Sequence, residues 1–120
     1  MGNTTEADKK ISIESFQSTI RKSEKALIQM TEKGANITLV KKRLEAFKIG
    51  LTVLENRWYK SSMDCSKEEL EEARRTLMGL LPSLEKIYWK QTEESPQKTL
   101  LRRRIKSLNE AVSEIDDLLS

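Results

Sequence analysis

The densest run of groups able to do chemistry is Glu68, Glu69, Glu71 and Glu72, with the lone Cys65 just ahead of it. Paired carboxylates can hold two metal ions or act as acid and base. A thiol can act as a nucleophile once a neighbouring base draws off its proton. Each role needs a partner this chain lacks. The 120 residues include no histidine, which removes the commonest general base and the commonest metal ligand. One cysteine excludes an internal disulfide and a thiolate zinc site. A di-metal bundle needs Glu-x-x-His pairs that project inward, whereas these glutamates stand at a helix start, where the dipole favours negative charge. No glycine-rich phosphate loop occurs either. The chain therefore reads as non-enzymatic, with no cofactor, no metal and no small-molecule substrate.

The elements behind these residues are helical. Aromatics at 5%, 4 glycines and 2 prolines are too few for the turns of an all-β fold. The length fits one domain able to bury a core of its own. Residues 1–10 are polar and read as a flexible tail, leaving 11–120 as one helical bundle domain. Four runs follow, from Ile13 to Met30, Ile37 to Trp58, Leu70 to Ile87 and Leu101 to Leu119. Within each run, seam positions recur at alternating steps of three and four, the spacing that keeps one seam against a neighbouring helix.

The breaks carry matching chemistry. Gly34 ends the first helix and Asn36 caps the second. Ser66 with Glu69 three residues on makes a capping box for the third. Ser95 with Pro96 opens the fourth. Short connections make successive helices antiparallel neighbours. The expectation is an all-α, up-down-up-down four-helix bundle with helices over about 13–33, 37–62, 67–94 and 96–119. The alternative is a three-helix coiled coil with one long kinked helix. Pro82, with Gly79 nearby, predicts a kink or local break in the third helix.

Function must then be sought on surfaces. At about 100° per residue, Trp89 lies about 200° from Ile87 and 140° from Leu84, nearly opposite its seam. With Tyr88 and flanking lysines it reads as an interface anchor, since tryptophan is enriched at binding hot spots. Trp58 lies on its seam and reads as core. The second helix carries another apolar stripe, Leu39, Ala46, Ile49 and Val53, to be covered by a second neighbour or a partner chain. The fourth helix is charged against its own dipole. Arg102, Arg103 and Arg104 lie in its first half and Glu110, Glu114, Asp116 and Asp117 in its second. Two such helices set antiparallel would pair basic half with acidic half, as in an isologous dimer. Lys41, Lys42 and Arg43, with Lys98 and Lys106, form a possible patch for nucleic acid or an acidic partner. The net charge of +3 is too mild to decide this.

The stretch LVKKRLEAFKIGLTVLENRWYK, with its basic run, Arg43-Leu44-Glu45 and Trp58-Tyr59, resembles the N-terminal helical region of gag-like polyproteins of BEL/Pao-type retroelements. The likeness spans Phe16 to about Glu94, with Trp58 about one heptad later than that pattern places it. It implies a self-assembling structural protein that helps package RNA. The expected function is thus a helical protein–protein interaction domain, self-associating or an assembly module of a larger structural protein. The alternative is nucleic-acid binding through the basic helix starts. The partner is a protein or a second copy, homodimer or higher. No apolar run exceeds three residues, so no membrane partner is expected. Gly2 offers a myristoylation start, but Glu6 stands where a hydroxyl residue belongs. A single cysteine and no secretory segment after Met1 point to an intracellular, cytoplasmic setting.

Overall fold

Three of the four helices, the first, third and fourth in chain order, open on a side chain that satisfies a backbone donor of the first turn, a group no intrahelical partner can reach. In the computed structural model, which describes residues 5–120, the order is α1 (Glu6–Glu32), α2 (Thr38–Tyr59), α3 (Lys67–Lys90) and α4 (Pro96–Leu119). Thr5 accepts from the Asp8 N–H at 3.0 Å, starting α1 well before Ile13. The polar tail of residues 1–10 is thus helical from Glu6 on; its first residues and Gly2 lie outside the described residues. α2 has no capping side chain: its N-cap is Ile37 and not the expected Asn36, whose Oδ1 instead accepts from the Thr38 N–H at 2.9 Å in a local turn just before the helix. Ser66 and Glu69 close both halves of their capping box. Ser95 caps α4 through the Lys98 N–H, with Pro96 at the first helical position. Gly34, at φ 71, takes the left-handed conformation after α1 that other residues adopt only under strain.

The four helices form an antiparallel up-down-up-down bundle; the turn at 91–95 is real, so the three-helix alternative does not occur. Two helices stop earlier than expected. α2 ends at Tyr59, where Lys60 turns left-handed at φ 60 and Asn56 bonds the Ser61 carbonyl. α3 ends at Lys90, where Gln91 is extended and its carbonyl accepts from Lys98 Nζ. α3 runs unbroken through Pro82. Pro82 lies on the exposed face one turn beyond Met78, itself 42% exposed, so the carbonyl freed by the missing N–H can be hydrated.

The chain is two αα-hairpins, α1–α2 and α3–α4, joined at one end. α2 and α4 also meet across the middle, whereas α1 and α3 do not. The core sits at the joined end. Phe16, Val53, Leu54, Leu77, Leu108 and Ile115 are at most 1% exposed there. Gly50 admits the Phe16 ring, whose Cε1 would lie 2.8 Å from any Cβ at position 50. Arg57 of α2 reaches Glu114 of α4 at 2.8 Å, Arg74 of α3 pairs with Asp116, and Ser12 donates to Glu110.

Beyond this half, packing changes. No residue from 20 to 43 or from 82 to 106 is fully buried. The heptad seams continue there, but the two hairpins meet only along open grooves and do not close over them. Ile87, expected on the seam, is 50% exposed. Leu27, Met30, Val40, Leu84, Leu101 and Ile105 are only half-buried, and Trp58 packs on the rim of the core. The hairpins diverge toward their tips, consistent with Cα extents of 43 × 40 × 21 Å.

Candidate interaction surfaces

The outer end of the α3–α4 hairpin is built around Tyr88. Its ring meets Trp89 edge-on at 5.1 Å between centroids and 81° between planes. Lys98 Nζ lies 4.9 Å and the Arg102 guanidinium 5.7 Å from the Tyr88 centroid, within cation–π range. Arg102 Nε donates to the Tyr88 hydroxyl at 3.2 Å, and its Nη2 to both Glu94 carboxylate oxygens. These bonds raise the Arg102 pKa, the Tyr88 contact most, and Arg102 in turn holds Glu94 below the usual carboxylate range. Tyr88 and Arg102 thus hold each other, and Trp89 is left 77% exposed.

The three consecutive arginines part company. Arg102 faces Tyr88, while Arg103 and Arg104 face α1 beside Arg21 and Lys22. Arg104 Nε is buried without a hydrogen-bond partner among the described residues, and burial pushes its pKa down. Three of the five possible patch residues carry internal partners: Lys42 pairs with Glu72 at 2.9 Å, Lys98 sits on Tyr88, and Lys106 reaches Asp8 at 3.7 Å. Lys41 is exposed, and Arg43 turns into the space between the hairpins. One continuous patch of all five does not form.

The acidic half of α4 is answered within the molecule, by Arg57, Arg74 and Ser12. The dipole mismatch therefore gives no reason to invoke a second α4. The second stripe of α2 is covered in the same way at Ala46 and Val53, both buried, while Leu39 near the tip is 55% exposed.

Of the four glutamates at the α3 start, Glu69 is taken up by the cap and Glu72 by Lys42 and Arg75, while Glu68 and Glu71 are exposed to solvent. Burial, with Glu69 and Asp64 nearby, raises the Cys65 pKa, the reverse of what a nucleophilic thiolate needs. Among the described residues no cluster of three or more His, Cys, Asp or Glu could hold a metal ion, and no helix is long and apolar enough to cross a membrane. Arg21 and Lys22 escaped the sequence reading, because two adjacent off-seam cations signal nothing until the helix they face is known. No family model matches the chain, and no curated protein or solved structure does.

Proposed function

We propose that this chain is a non-enzymatic helical interaction domain that associates with itself, or serves as an assembly module of a larger structural protein, through the outer end of α3–α4. The observation that carries the reading is Trp89, 77% exposed on a support of Tyr88, Arg102 and Glu94. Burying that ring would return about 3 kcal/mol of transfer free energy. Its support is already ordered, so little further entropy is lost on docking. The likeness to gag-type helical regions supports an assembly role.

Light scattering across a concentration series, at low and high salt, tests the reading. The expected result is a dimer or higher species that Trp89→Ala returns to monomer, with the melting temperature unchanged. A monomer at every concentration and salt would overturn self-association.

Nucleic-acid binding through basic helix starts is the second reading. It is favoured by Arg43 and Arg103, which pair with no acid among the described residues. It predicts affinity that falls steeply with salt, because each phosphate contact releases counterions.

A further inference from the structure

The diverging hairpins enclose a cleft on the side away from the joined end. Its floor is apolar, made by Val40 and Phe47 of α2, Leu80 and Leu84 of α3, and Leu108 of α4. Lys22, Arg43 and Arg104 stand in its walls. Past Lys22 and Arg104 the cleft continues between α1 and α4 to Arg21 and Arg103. Past Arg43 and Leu80 it continues between α2 and α3 to Leu39, Lys42 and Arg75. Along the whole course the one acidic residue in the lining is Glu14. Lys42 and Arg75 share Glu72, but Arg21, Lys22, Arg43, Arg103 and Arg104 pair with no acid among the described residues.

We propose that this cleft binds one acidic amphipathic helix of a partner protein. The unfilled outer seams supply an apolar strip with cations on both sides, the complement of a helix with an apolar face and acidic flanks. The size agrees. A trough crossing two helices side by side is about 20 Å long at helix diameters of about 10 Å, which holds about 13 residues at 1.5 Å each. Nucleic acid fits the walls but not the floor, since phosphates gain nothing from leucine and phenylalanine side chains. The proposal rests on the reading of the chain as a protein-binding module and names the chemistry of its partner.

The test titrates the full chain into a fluorescein-labelled, stapled 14-residue helix with leucines along one face and glutamates on both flanks, followed by anisotropy. Three further probes are run: a scrambled peptide of equal composition, a version with lysine for glutamate, and a 14-nucleotide single-stranded RNA. The acidic amphipathic helix is expected to bind at least tenfold more tightly than any other probe. Its affinity should fall at least tenfold in Arg43→Glu and in Arg103→Glu, both exposed positions where a charge change leaves the core intact, and in Arg104→Glu where that variant folds. Lys25→Ala, at an exposed position outside the cleft lining, should leave it unchanged. Equal affinity for the ordered and scrambled peptides, or no binding, overturns the proposal. RNA binding more tightly than the peptide and lost in the same variants overturns it in favour of a nucleic-acid site. If the peptide fails while self-association persists, the cleft assignment falls alone.

Discussion

Position 50 shows how one missing side chain decides the approach of two helices. The Phe16 ring occupies the space above Gly50, with Cε1 at 2.8 Å and Cζ at 2.9 Å from where a methyl group on that residue would stand. Gly50→Ala gains up to about 1 kcal/mol of helix propensity but forces a fully buried ring to move, at about 1–3 kcal/mol. The expected result is a net loss of about 1 kcal/mol, read as a lower melting temperature; an unchanged or higher value would mean α1 and α2 can part freely. At this scale the sequence was legible where geometry is local. The outward direction of Trp89 followed from about 100° per residue. The division of Arg102 from Arg103 and Arg104 did not, because adjacent residues on one helix meet different neighbours. Nor did buried Ser12 and Ser107, whose place depends on how closely α1 and α4 pack.

Among the elements, caps and seams were the readable features. Ser66, Ser95 and Gly34 act as their types suggest, because a cap is settled within four residues. The start of α1 was missed, although Thr5 and Asp8 form a cap, since Glu6 to Lys10 carry no apolar period. Ser66→Ala removes an acceptor that the Glu69 N–H uses at 3.1 Å. It should cost about 1 kcal/mol, measured by denaturant unfolding. No change would show that Glu69 holds the first turn unaided. The seams located every helix yet overstated the core, because a heptad pattern records which face is apolar and not whether a second hairpin arrives to cover it.

Across the molecule, exposed ion pairs tie the pieces together. Asp8, held below its usual range by the Thr5 hydroxyl and then Lys106, links α1 to α4. Glu72, lowered first by its bond to Lys42, links α3 to α2. Glu94 is lowered by Arg102. A carboxylate with a depressed folded pKa contributes stability above the unfolded carboxylate range and loses it as pH falls through the folded value. Thermal stability should therefore decline as pH drops below about 4. Because these pairs are solvent-exposed, the decline should be shallow and flatten with added salt. A melting temperature independent of pH between about 3 and 6 would show that they contribute nothing.

The placing of the core at the joined end has a mechanical consequence. α1 begins and α4 finishes there, held by the Ser12–Glu110 bond and, through α2, by Tyr59–Glu6 and Arg57–Glu114. Tension between the two termini would load this end first and prise α1 from α4 turn by turn, as a zipper opens. The outer arms would carry almost none of that load, so a helix seated between them would stay gripped until the core itself gave way.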